Sequence, residues 1–381
     1  MIEWKKLISV SDVQYGFPFD STLFTEDKRY IPLIRIRDIK PAKASTYYSG
    51  DYSNDYIIKK GDILVGMDGE FNLEKWDDRD GLLNQRVLKI TGKKDICLNE
   101  YIYHYMSPVF KDIEKKTAGG SVKHLSAKVI NTLKIPIPSK EEQARIVSIL
   151  DTFTDSIANL DAQIKARRKQ YEYYRDQLLD LEGKDGVEMK ILKDLAIIMN
   201  GKDYKKLSDG NIPVYGTGGI MAYVDTFAYD KPSVLLPRKG SVEKIYYVTN
   251  PFWTVDTIYW TIIKTEIILP KFLYHALCKY DLKDYSYGGG IPSLSQKILY
   301  GLTIPLPSLQ EQSRIVSILD QFEESIKNLE AQYELRKKQY EYYRNQLLNF
   351  DDAKELAANT SKSMEQSGVS LYFNKYILNK K

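Results

Sequence analysis

The residues able to do chemistry in this chain fall into strings that stop short of a catalytic set. Methyl transfer to an exocyclic amine uses an acidic or amide residue followed by Pro-Pro-aromatic to hold a flipped base. The nearest string, Asn250-Pro251-Phe252-Trp253, lacks the second proline, and no cofactor loop accompanies it. Gly216-Thr217-Gly218-Gly219 could cradle a phosphate on backbone N–H groups, but no Lys-Ser/Thr follows and no helix pattern opens after it, which favours a turn. His104, His124 and His275 have no ligand spacing, and His104 and His275 lie in matching apolar segments that suit hydrogen-bonded structural roles. No catalytic residue, metal ligand or bound cofactor is assigned to the chain.

Basic and amide side chains beside glycine turns are more informative. Lys123 and His124 follow Gly119-Gly120, Arg238 and Lys239 precede Gly240, Arg35 and Arg37 alternate in an expected strand, and Asn84-Gln85-Arg86 form one run. Such side chains reach phosphates and base edges, with Arg suited to guanine and Asn or Gln to adenine. Together with Thr217 of the glycine turn they are the candidate DNA contacts. A solvated strand face or an ordinary turn is the better explanation of any one of them taken alone; their recurrence in both halves of the chain is what raises the DNA reading.

The elements that position these residues come from a tandem duplication. Residues 135–179 recur at 304–348 without a gap, and 31 of the 45 positions are identical, while the sequence between the copies has diverged. Each copy opens with I-P-x-P, then Ser139 or Ser308 with Glu142 or Glu311 three residues on. That is a capping box: the Ser hydroxyl takes the N3 amide, the Glu reaches back, and the prolines hold the preceding stretch extended. Apolar residues then follow at 3,4 spacing through Ile146, Leu150, Phe153, Ile157, Leu160, Ile164, Tyr171, Tyr174 and Leu178. The second copy keeps that register from Ile315 to Leu347. These are coiled-coil seam positions on helices of about 40 residues, roughly 60 Å long. Arg167 and Arg336 are the exceptions in the seam, each suited either to fixing register or to reaching out over its neighbours. Tyr173 and Arg175, with their copies Tyr342 and Arg344, fall off the seam in the unchanged string QYEYYR and read as a docking face for a partner protein, or as a solvated flank.

Each helix is preceded by an insert that reads as α+β. Strand patterns run through YIPLIRI, YIIKKGDILVGM and RVLKI in the first insert and through SVLLPRK, KIYYVT and TIYWTII in the second. Short helices are expected at Leu98–Met106 and Leu269–Leu277, each followed by a glycine turn. The spans are 1–138 and 183–307 for the two inserts, 139–182 and 308–350 for the helices, and 351–381 for a polar tail with no assigned role.

Composition limits the function classes without choosing among them. The chain has 381 residues, 43% of them hydrophobic, a net charge of +4 and a pI near 8.6, which permits a nucleic-acid partner without requiring one. Cys97 and Cys278, one per half, suit a reducing cytoplasm, and no signal peptide or 18-residue apolar run is present, so neither a membrane partner nor secretion is expected.

Taken together, these strings resemble the DNA-specificity subunit of type I restriction-modification enzymes over residues 1 to about 350. The doubled I-P-x-P-S-x-x-E-Q-x-R-I-V-x-I-L-D motif is the most specific element. WKKL, YGFPFDS, GDILV and LNQR in the first unit, and IPVYGTGGI and PFWTVDTIY in the second, are also similar. The resemblance implies an α+β fold: two α/β target-recognition domains separated by two long conserved helices that form an antiparallel coiled coil, pseudo-twofold symmetric. It implies target recognition without catalysis, with partners that are double-stranded DNA, two methyltransferase subunits and restriction (motor/nuclease) subunits. S-adenosylmethionine, ATP and Mg would belong to those partner subunits. Unlike inserts would read unlike half-sites, giving an asymmetric bipartite target. The alternative is a coiled-coil DNA-binding scaffold or regulator that acts without a modification partner.

Overall fold

The computed structural model describes residues 2–116, 124–287 and 292–350; Lys123 and residues 351–381 lie outside the described residues. The chain divides into two compact units, one of residues 1–158 with the second long helix from Glu334 onward, the other of residues 159–333.

In the first unit the I-P-x-P stretch is a strand, Lys134–Ile137, antiparallel to Glu3–Lys6 with Glu3 opposite Ile137. A four-stranded sheet follows in the order Ser11–Tyr15, Val87–Gly92, Ile63–Gly66, Leu73–Lys75. Ile63–Gly66 is buried at every position, as an unbroken apolar run predicts. Five short strands around Ile31–Ile34 and Gly81–Leu83 make a second sheet. The expected helix at Leu98–Met106 runs from Asn99 to Lys116, passing through Pro108, and buries Tyr101, Ile102, His104, Met106 and Phe110. The second unit repeats the plan. Glu188–Ile191 pairs with Thr303–Leu306, and a four-stranded sheet runs Ala196–Asn200, Ile258–Ile263, Ser233–Pro237, Tyr246–Val248. Its short helix is Pro270–Leu277.

The long helices are Lys140–Leu178, 39 residues, and Leu309–Leu348, 40 residues. Half of each capping box forms: Ser139 Oγ accepts from the Glu142 N–H at 3.2 Å, and Ser308 Oγ accepts from Glu311 at 3.3 Å. The carboxylates do not reach back. Glu142 and Glu311 instead accept two charge-assisted hydrogen bonds each from Arg145 and Arg314 one turn on, a stronger pairing than a neutral amide offers. The first long helix stops at Leu178, and the chain then turns through Gly183 and Gly186, both at φ near +73° where a Cβ would be strained.

Each unit packs the start of one long helix against the end of the other, which makes the pairing antiparallel. In the first unit Phe153 stacks on Tyr343 with centroids 5.2 Å apart; in the second Tyr174 stacks on Phe322 at 5.3 Å. The seam arginines lie over aromatic rings and, among the described residues, pair with no carboxylate: Arg336 stands over Phe153 at 5.7 Å and Arg167 over Phe322 at 5.8 Å, both half-buried. These ring stacks and arginine–ring contacts in one unit thus have their copies in the other with the helices exchanged. Tyr174 keeps one face in the seam while remaining 46% exposed.

Gln143 and Gln312 bind each helix start to its insert. Gln143 is fully buried, accepts from the Leu98 N–H at 3.0 Å and donates to the carbonyls of Ile96 and Pro138. Gln312 makes the same three bonds to Leu269, Ile267 and Pro307. Ile146, Leu150, Ile315 and Leu319 lie beside them at 0% exposure, each burial stabilising by about 1.5–3 kcal/mol.

Candidate nucleic-acid interface

In the first unit a cleft of about 990 Å³ is lined by Arg35, Arg37, Lys40, Asn84, Gln85 and Arg86, with Phe19, Phe24 and Glu70 among its other walls. Four cationic side chains face one carboxylate, a balance that favours a polyanion. Five of the sequence-selected residues are therefore brought together, though not on the element expected for Arg35 and Arg37. Strand Ile31–Ile34 ends before them, and Arg35 caps a short helix, Ile36–Ile39. The cause is Asp38, buried at 1% exposure, which accepts from the Arg35 N–H and from the Ser45 N–H and hydroxyl and so bends the chain out of the sheet.

The three arginines of the cleft differ in what holds them. Arg37 gives Nε to Ser45 Oγ at 3.1 Å and Nη2 to Thr46 Oγ1 at 2.7 Å. The Arg35 guanidinium lies over the Phe24 ring. Arg86 pairs through Nε with Asp68 at 3.3 Å, and its side chain is 55% exposed. The other carboxylate oxygen of Asp68 takes His124 Nδ1 at 2.6 Å. Asn84 is buried, and its side-chain amide oxygen Oδ1 accepts from the Gln85 N–H, while Gln85 is exposed beside Arg86.

The second unit carries the same backbone frame with other side chains. Arg86 O accepts from the Met67 N–H, and Thr257 O accepts from Arg238 and Lys239; Leu125 donates to Met67 O, and Leu294 to Arg238 O. Asp68 bridges to His124 where Lys239 bridges to Ser293, and Gly69 at φ +72° matches Gly240 at φ +87°. Asp68, Arg86 and His124 thus correspond to Lys239, Thr257 and Ser293. Gly16 and Gly201 mark the same crossing, since a Cβ on either would come within 2.0 Å of the carbonyl oxygen of Asn84 or Val255.

Gly216 pairs with Gly219 in a hairpin, so this string is a turn. Thr217, 9% exposed, has its carbonyl fixed by Tyr246 Oη and its hydroxyl near Gly240, which brings it to the Arg238–Lys239 turn. Arg238 donates to Asp256 O and lies over Tyr259, while Lys239 is exposed.

Away from these turns, His104 is fully buried with Nε2 on Asp151 at 2.8 Å and Nδ1 on Tyr340 at 3.0 Å. His275 has Nδ1 on Tyr171 at 2.9 Å, but its Nε2 has no hydrogen-bond partner and stands 3.7 Å from Asp320 Oδ1, which Lys271 holds at 2.6 Å while also pairing with Glu323 at 3.0 Å. Among the described residues His275, Asp320 and Glu323 are the group with metal-ligand potential, and there the Lys271 ammonium already supplies the positive charge. Burial, helped by that ammonium, pushes His275 down to about 4; burial also lowers His104, opposed by its bond to Asp151.

The four expected docking residues separate into two kinds. Tyr173 and Tyr342 are 61% and 50% exposed. Arg175, its side chain 14% exposed, folds over Tyr171 and pairs with Asp176; Arg344 lies over Tyr340, its Nε buried without a partner. The arginines are packed against their own helix and leave the tyrosines as the accessible part of that face.

Sequence reasoning missed Asp68, Asp38 and Lys40. Asp68-Gly69 was visible as a turn dipeptide, but nothing local revealed that its carboxylate meets Arg86 and His124, 18 and 56 residues away.

No helix among the described residues is long and apolar enough to cross a membrane. The model of the type I restriction modification DNA specificity domain matches residues 1–167 and again 184–336. The chain is 30% identical over 346 residues to the specificity subunit of the Escherichia coli type I restriction enzyme EcoR124I/EcoR124II, covering 80% of this chain and 84% of that one. It is 32% identical over 212 residues to the E. coli EcoBI specificity subunit; that match takes in 54% of this chain and only 45% of the relative. The S subunit of a type-I restriction-modification system from M. genitalium superposes with a TM-score of 0.62 at 19% identity, covering 91% of this chain and 96% of that one, a likeness of fold. With the family's domain matched twice, once in each unit, the chain belongs to the type I restriction modification DNA specificity family.

Proposed function

We propose that the chain is the DNA-specificity subunit of a type I restriction-modification complex, reading an asymmetric bipartite target in double-stranded DNA and contributing no catalysis of its own. The observation that carries this is the pair of equivalent turns bearing unlike side chains, Asp68, Arg86 and His124 against Lys239, Thr257 and Ser293, the first beside a cationic cleft. One frame holding two different edges suits two different half-sites. Methylation and cleavage would fall to two methyltransferase subunits and to restriction subunits, which would bring S-adenosylmethionine, ATP and Mg. The long helices, with Tyr173 and Tyr342 outermost, would take the methyltransferases.

The test is an exchange of the first insert, residues 1–134, for an unrelated one, with adenine methylation mapped after assembly with the cognate methyltransferase. One half of the methylated site should change while the other half and the spacer persist. A change in both halves, or methylation by the purified chain alone, would contradict the proposal.

A further inference from the structure

We infer that Arg86 reads a guanine in the half-site of the first unit and that Asp68 positions it for that task, an inference that rests on the DNA-reading function above. Of the three arginines in the cleft, Arg37 uses its fork on Ser45 and Thr46 hydroxyls, and Arg35 stands over the Phe24 ring at 5.9 Å. Arg86 is different. Its guanidinium forms an ion pair with Asp68, Nε to Oδ2 at 3.3 Å, and among the described residues no other partner takes it. Asp68 is itself held by His124 at 2.6 Å and stands on a turn that closes through Gly69 at positive φ. With Nε the atom nearest that carboxylate, the two Nη groups remain as a pair of donors for a ligand.

In the major groove guanine offers two acceptors, N7 and O6, at the spacing of that fork. Adenine places a donor where guanine has O6, and a pyrimidine lacks the paired acceptors, so the same fork rejects them. Because Asp68 restricts the side chain before DNA arrives, less rotamer freedom is lost on binding. In the second unit Thr257 stands at the equivalent position without a fork, and Arg238 donates to Asp256 O, so that edge reads its half-site by other means.

The experiment uses the full chain in complex with its methyltransferase and a DNA library randomised across the target. The wild-type complex should select one guanine in the half-site that moves with the first insert. Arg86→Lys keeps the charge but not the fork, and should lower discrimination at that single base pair about tenfold or more while other positions keep theirs. Asp68→Asn should relax the same pair by a smaller factor. Replacing the selected guanine by 7-deazaguanine, which lacks the N7 acceptor, should weaken the wild type and leave Arg86→Lys nearly unaffected. Full discrimination retained by Arg86→Lys, or a uniform loss of affinity for every sequence, would assign Arg86 to a phosphate and overturn the inference. A wild-type complex with no sequence selection at all would instead overturn the DNA-reading function itself, and the inference with it.

Discussion

The turn at Asp68 and the turn at Lys239 share a backbone and almost nothing else. In both, successive main-chain hydrogen bonds tie the turn to the strand crossing beneath it and to the segment entering the last short helix, and a glycine at positive φ closes it. On that base the first unit mounts a carboxylate paired with an arginine and a histidine, and the second an exposed lysine beside a threonine and a serine. The lesson is about where specificity can change cheaply. Because main-chain hydrogen bonds hold the frame in both units, the outward side chains can differ while the turn keeps its shape.

If the two frames are equivalent, damage to them should cost the same in both units. Gln143→Ala and Gln312→Ala each strip partners from one part-buried N–H, one part-buried carbonyl and one buried carbonyl, and each should destabilise its own unit by about 2–4 kcal/mol. Unit-resolved hydrogen exchange measures both, and costs differing by more than about twofold would break the comparison.

The buried histidines should sharpen it. His275 lies near 4 in the folded chain against an ordinary value of 6.5, so between those values the unfolded chain binds more protons. Stability of the second unit is therefore full above about 6.5 and is lost as pH falls toward 4. The groups facing His275 are Lys271, Asp320, Glu323, Tyr171 and Arg175. In the first unit the Asp151 bond opposes the lowering of His104, and the acid loss should be smaller. His275→Gln should flatten the acid loss of the second unit; equal acid sensitivity of both units in the wild type would show that the missing Nε2 partner is immaterial.

The smallest effect on the fold belongs to the exposed tyrosines. Tyr173→Ala and Tyr342→Ala should each change stability by less than about 0.5 kcal/mol. Each should also weaken methyltransferase association by about tenfold or more in gel filtration or calorimetry. Unchanged assembly in both would return this surface to solvent.

Much of the architecture was legible in the residue pattern because it is local or repeated. Ser139 and Ser308 mark the helix starts through hydrogen bonds spanning three residues, the 3,4 spacing marks the seam, and the unbroken run at Ile63–Gly66 marks a buried strand. An identical segment in two places also announces the same contacts twice, as Phe153 on Tyr343 and Phe322 on Tyr174 bear out. The order of side chains along the chain could not show which of them meet. Asp38 turned an expected strand into a helix by collecting bonds from a loop seven residues on, and Asp68 joined Arg86 to a histidine 56 residues away. Arg175 and Arg344 lie over the Tyr171 and Tyr340 rings of their own helices, a contact the order of residues does not announce. Helix caps and heptads act over a few residues and leave a period in the sequence. The pairing of a charged group with its partner is settled by distances that exist only once the sheets have closed.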